Sequence, residues 1–131
     1  MTQPLGLREQ IATTLLENWT FDIPVLWENM PTPSPLPHLG WINVNIRFGR
    51  SMASGWGQIP TLHRGRLQIQ VAVHQGEGME TSDAMVIHLI TQFNRRHIGA
   101  IHFGQANVQA PIKDDGVVIT TITIRFHAPL R

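Results

Sequence analysis

The sequence predicts an α+β fold: a mostly antiparallel sheet of four to five strands with two helices packed on one face. Three observations predict it. Residues 41–48, 64–74 and 117–126 alternate apolar and polar side chains with a period of two, as half-buried strands do. Residues 7–19 and 84–93 instead repeat their apolar residues every three or four positions, as amphipathic helices do. Lys113-Asp114-Asp115-Gly116 lies between two strand candidates and reads as a hairpin turn. A hairpin makes its two strands antiparallel, and an amphipathic helix needs a sheet face to cover.

The first helix carries Leu7, Ile11, Leu15 and Trp19 at intervals of four, widened by Ala12 and Leu16. A helix this short is unstable alone, so its stripe must pack on something. Phe21 to Trp27 is apolar and extended, and Pro24 confines it to a sheet edge. Pro31, Pro33, Pro35 and Pro37 then stand at every second position and favour an extended path. That path is either a stiff surface connection or an arm lying on a neighbouring subunit.

The next strand turns Ile42, Val44, Ile46 and Phe48 one way and Trp41, Asn43, Asn45 and Arg47 the other. Residues 49–63 lack periodicity and form a long connection, a class that often carries function. Their Met52, Trp56, Ile59 and Leu62 either form a contact surface or tuck back onto the core.

In the central strand, Leu67, Ile69, Val71 and Val73 oppose Arg66, Gln68, Gln70 and His74. Gly76 and Gly78 break it, and Thr81-Ser82-Asp83 offers capping side chains for a helix running from Ala84. Val86, Leu89, Ile90 and Phe93 form that helix's stripe, with Ile87 beside it, and Gly99 is the expected stop. Ala106, Val108 and Ala110 mark a strand over 104–112. The last strand puts Val118, Ile122, Ile124 and Phe126 on one face and Thr121, Thr123 and Arg125 on the other, and Pro129 ends it. One domain spanning 1–131 is expected at this length. The face away from the helices should be polar and lightly charged.

Composition narrows the function. The formal net charge is +1, with 42% apolar and 15% charged residues, as in a folded globular chain. It offers no basic run of the kind that advertises a dedicated nucleic-acid binder. Nine of the ten basic residues are Arg, the commoner cation at interfaces. The absence of cysteine excludes a disulfide scaffold and thiolate metal sites and fits a reducing cytoplasm. No apolar run approaches the roughly 18 residues of a membrane span, and the first residues lack the features of a signal peptide. The expectation is a protein that neither crosses a membrane nor is exported by a signal sequence.

The sequence makes no positive case for an enzyme. The histidines at 38, 63, 74, 88, 97, 102 and 127 show neither a helical i, i+4 pair nor an HExxH arrangement. There is no Gly-x-Ser-x-Gly elbow. Gly76-Glu77-Gly78 lacks the third glycine and the Lys-Ser/Thr of a phosphate loop, and Glu77 would repel phosphate. No catalytic, metal or cofactor-binding residue is assigned, and no cofactor is expected. A small hydrolase or isomerase built on His74 or His88 has no supporting motif.

One family does fit these pieces in order: an amphipathic helix, Ile23-Pro24-Val25-Leu26-Trp27-Glu28-Asn29, Gly65-Arg66-Leu67-Gln68-Ile69-Gln70-Val71, the Gly76-Glu77-Gly78 turn, Gly104 and a final hairpin. Over nearly its whole length the chain resembles the tail terminator proteins of long-tailed phages. The resemblance implies a structural virion protein, located in the tail and assembled in the host bacterial cytoplasm. It implies a hexameric ring that caps the tail tube, stops its polymerisation and offers the surface for head-tail joining. The implied partners are further copies of the chain, the major tail tube protein and a head-completion or neck protein. Phage DNA enters only as it passes through the ring lumen. Closing a ring needs a heterologous interface, and the residues expected to meet a subunit or partner are Arg47, Arg50, Met52, Trp56, Ile59, Leu62, Arg64 and Arg66. The competing reading is an RNA-binding module using the open sheet face, on which Trp41 would be the aromatic platform.

Overall fold

A computed structural model describes residues 4–27, 40–48, 62–74, 76, 79–114 and 116–129. In chain order these form helix α1 (Pro4–Glu17), strands β1 (Val25–Trp27), β2 (Gly40–Phe48) and β3 (Leu62–His74), helix α2 (Met79–Phe93), and strands β4 (His97–Ile98), β5 (Ile101–Val108), β6 (Ile112–Asp114) and β7 (Val117–Pro129). The architecture is α+β, as the periodicities predict. The sheet is larger than predicted: seven strands among the described residues, in the order β1-β2-β3-β7-β5-β4, with β6 also on β7.

Two features account for the difference. The predicted strand over 104–112 is broken. β5 pairs with β7 from His127 back to Ile122, β6 pairs with Ile119 to Val117, and the chain steps between them at Gln109–Pro111. Proline has no N–H to give a ladder, so the strand cannot run through Pro111. The sheet is also mixed, because β1 runs parallel to β2, with Val25, Leu26 and Trp27 opposite Ile42, Asn43 and Val44. Parallel neighbours need a crossover of a dozen or so residues, and residues 28–39 supply that length. Pro24 stands just before β1 at the sheet edge, and its carbonyl accepts the Ile42 N–H at 3.0 Å.

Both helices cover one face. Leu7, Ile11 and Leu15 of α1 and Met85, Val86, Leu89 and Phe93 of α2 join Ile42, Val44, Ile46, Leu67, Ile69, Val71 and Val73 in a single core. Phe93 is fully buried and meets Phe103 edge-on at 5.4 Å between ring centroids. Trp19 closes the α1 end: its indole N–H donates to the Ile23 carbonyl at 2.8 Å, and its ring lies 4.9 Å from Phe21.

Several local expectations change. Leu16 is 51% exposed and Ile87 64% exposed, so neither belongs to its helix's buried stripe. α2 starts at Met79, which puts Thr81, Ser82 and Asp83 inside the helix instead of at its cap. Ser82 is buried there. The helix stops before Gly99: Asn94 and Arg95 form the turn, and Arg95 adopts φ 53°. Gly99 instead sits in the turn between β4 and β5.

Candidate functional site

The face away from the helices is organised by register. β2, β3 and β7 are antiparallel neighbours, so outward residues meet in rows across the sheet. Asn43, Gln70 and Thr121 form one row; Asn45, Gln68 and Thr123 form the next, joined by Asn107 of β5. The third row is Arg47, Arg66 and Arg125. The fourth is Arg64, His127, His102 and His97, crossing β3, β7, β5 and β4. Neighbouring strands lie about 4.8 Å apart, so the third row is three guanidinium stems side by side. Arg47, Arg64, Arg66 and Arg125 are exposed, and none makes an ion pair among the described residues. No acidic residue stands in any of these rows.

Three histidines continue this end of the face toward the β4 edge. The His102 and His127 rings stack nearly parallel (4°) at 5.0 Å, and His97 lies 4.1 Å from His102. Desolvation among these neighbours, followed by repulsion from His97 and from His127, holds the His102 imidazole below its ordinary pKa. The two-residue turn after β4 is what brings His97 opposite His102. At the bulge in β5 between Phe103 and Ala106, Arg95 donates from Nη2 to Gln105 Oε1 at 3.1 Å. Bulges re-aim side chains at sheet margins. Of the acidic groups, Glu17 lines a cleft with Arg96 and His97, while three others stand at the other end of the strands. Asp114 pairs with Val117 beside the β3 terminus, and Glu80 and Asp83 lie in the first turns of α2.

Of the interface residues expected from sequence, Arg47, Arg64 and Arg66 fall together on the two cationic rows. Leu62 opens β3 opposite Pro129. Arg50, Met52, Trp56 and Ile59 lie outside the described residues. Arg125, which its alternation already puts on the polar face, belongs to the same surface with His97, His102 and His127, and sequence reasoning singles out none of the four as a contact residue. The alternation through Arg125 and His127, and the five-residue spacing of His97 and His102, are their only signals in the sequence.

The opposite end of this face is closed. Leu26, Trp41, Ala72 and Val117 form a second buried cluster with Ile119 against it; Trp41 is only 9% exposed. Trp41 therefore cannot serve as an open platform for a base.

A polar cleft between α1 and α2 is lined by Glu17, Thr20, His88, Gln92, Arg96 and His97, among others. Two of its side chains bond each other, while Gln92 Oε1 is buried with no hydrogen-bond partner among the described residues. Gln92 Nε2 donates to His88 Nε2 at 2.9 Å, and the Thr91 hydroxyl donates to the Ile87 carbonyl at 2.8 Å. Trp19 and Phe21 also pack edge-on against the His88 ring. His74 meets the Trp41 ring at 5.9 Å, away from this cleft. Among the described residues, no three metal-ligating side chains are grouped to hold an ion, and no helix is long and apolar enough to cross a membrane.

The family model described as phage tail terminator protein matches residues 8–126. The chain belongs to the phage tail terminator protein family. The match runs from α1 to Phe126 in β7, so it includes the cationic rows almost entire. Membership makes the chain a structural component of the phage tail and places it in the virion. One solved structure superposes on the tail terminator with a TM-score of 0.70, covering 95% of this chain and 96% of that one. At 14% identity that likeness shows the fold alone. No curated protein sequence matches it.

Proposed function

We propose that the chain acts as one tail-terminator domain, 1–131, that assembles into a hexameric ring on the end of the tail tube. The ring stops tube polymerisation and presents the surface to which the head is joined. The observation that carries this reading is the family match across residues 8–126. The partners are neighbouring copies, the major tail tube protein and a head-completion or neck protein. Assembly takes place in the host cytoplasm, no cofactor takes part, and DNA passes through the lumen. Residues 50–63, with Arg50, Met52, Trp56, Ile59 and Leu62, are the proposed protein-contacting segment, beside Arg47, Arg64 and Arg66. Trp and Arg are the residue types that most often anchor interfaces.

The sheet's architecture supports a contact role. Its outward rows carry amides, hydroxyls, guanidinium groups and a histidine stack whose His97 and His127 are exposed, whereas a catalytic site would bring titratable groups into a buried cluster. The RNA-binding alternative loses its aromatic platform with the burial of Trp41. Native mass spectrometry and negative-stain microscopy of the protein, alone and with tail tubes, test the reading. Six-fold rings seated at tube ends are expected. A strict monomer in the presence of tubes would overturn it, and intact rings and tail joining in Trp56→Ala would remove Trp56 from the interface.

A further inference from the structure

We propose that the cationic end of the outward sheet face, centred on Arg47, Arg66 and Arg125, is a binding surface for the phosphate backbone of duplex DNA, engaged without regard to base sequence. This reassigns Arg47 and Arg66 from the protein-contacting set to DNA, leaves residues 50–63 as the protein contact, and stands without tail capping. Three arginines directly opposite one another repel, and like charges in that relation destabilise a sheet. None has an ion-pair partner among the described residues. Arg64 and the His97–His102–His127 stack continue the surface across β3, β7, β5 and β4, a width of about 15 Å at the usual strand spacing.

The neighbouring row completes the chemistry. Asn45, Gln68, Thr123 and Asn107 are uncharged hydrogen-bonding side chains on the same face. Guanidinium, amide and hydroxyl groups are the set that contacts phosphate and sugar oxygens. A duplex is favoured over a single strand because single strands are held by stacking bases on aromatic faces. Here Trp41 is buried at the far end, and the histidine rings already stack on each other. A carboxylate-rich protein surface would meet the same guanidinium groups, and sedimentation of the arginine variants separates that outcome from DNA binding.

The experiment is a fluorescence-anisotropy titration of the full chain onto labelled duplexes of two unrelated sequences, repeated from about 50 to 200 mM salt. Equal affinity for both sequences is expected, with log K falling linearly against log salt. Arg47→Gln/Arg66→Gln/Arg125→Gln should flatten that slope by about 2.7, or about 0.9 for each phosphate no longer neutralised. Arg66→Gln alone should flatten it by about 0.9, which keeps the proposal testable if the triple variant does not fold. Glu80→Gln/Asp83→Asn, at the opposite end, should leave the slope unchanged. No binding by the unaltered chain at the lowest salt would overturn the proposal, as would a slope unmoved by the arginine variants. Tighter binding of single-stranded DNA or RNA would also overturn it. So would arginine variants that change only self-association in sedimentation; that result would assign the row to a protein partner. Rings that form normally without binding DNA would reject this surface and leave the tail-capping reading intact.

Discussion

Gly65 lies under the ring of Phe126, its register partner in β7. A Cβ at position 65 would stand 2.5 Å from Phe126 Cζ and 2.5 Å from the Arg47 carbonyl oxygen. The missing side chain is thus the space into which the Phe126 ring folds, and it lets β2, β3 and β7 close up where the arginine row begins. Gly65→Ala should destabilise the protein by about 1–3 kcal/mol, the usual cost of overpacking. Urea denaturation measures it, and an unchanged midpoint would show that the ring has room to move.

Phe93 is the largest fully buried side chain among the described residues, and it ties α2 to β5 through Phe103. Phe93→Ala should cost about 3–5 kcal/mol, combining reduced burial with a cavity that closes only in part. Phe93→Leu should cost markedly less. Comparable destabilisation in both variants would mean that ring geometry matters here, not volume.

Ser82 is buried inside α2, and its Oγ has no hydrogen-bond partner among the described residues. Ser82→Ala removes an unsatisfied hydroxyl and installs the better helix former, so it should stabilise by about 1–2 kcal/mol. A rise in Tm confirms it; a fall would reveal a partner for the hydroxyl.

Stability should fall on mild acidification. His102 has its folded-state pKa lowered by desolvation and by its two histidine neighbours. Above the ordinary histidine value both folded and unfolded states hold it neutral, so stability is unaffected. As pH drops through that value, the unfolded chain takes up the proton first and is favoured. The decline levels off once pH passes below the lowered folded value. Denaturation midpoints between about pH 7.5 and 5 should show this slope, and His102→Gln should reduce it. An identical slope in the variant would place its origin elsewhere.

The Arg47–Arg66–Arg125 row should not support the fold. Like charges directly opposite one another are unfavourable by a few tenths to about 1 kcal/mol, so Arg66→Gln should leave Tm unchanged or slightly raised. A clear drop would show that the guanidinium stem packs a neighbour and that the row is structural.

Burial is legible in the sequence wherever it follows from local period. The inward sets Ile42, Val44, Ile46 and Leu67, Ile69, Val71, Val73 are buried as their alternation requires. Leu7, Ile11 and Leu15 are buried as their helical spacing requires. Period fails at margins. Leu16 and Ile87 are apolar and flank their stripes, yet the curvature of a helix against a sheet leaves them in solvent. The parallel β1 arises from pairing with a distant segment, which local pattern does not encode, whereas the β5–β6 break follows from Pro111, a signal the sequence does carry.

Chain order and hydrophobic period alone determined the α+β class, the inward and outward sets of β2, β3 and β7, and the pattern that matches the tail terminators. They could not determine charge distribution in space. A net charge of +1 spread over 131 residues shows no basic run and by itself gives no sign of a nucleic-acid partner. Strand register alone decided where the charges gather. It sets Arg47, Arg66 and Arg125 side by side, brings His97, His102 and His127 into one stack, and leaves Asp114 at the opposite end. The physical reason is that electrostatic potential sums over distance in three dimensions, while a sequence records only neighbours along the chain.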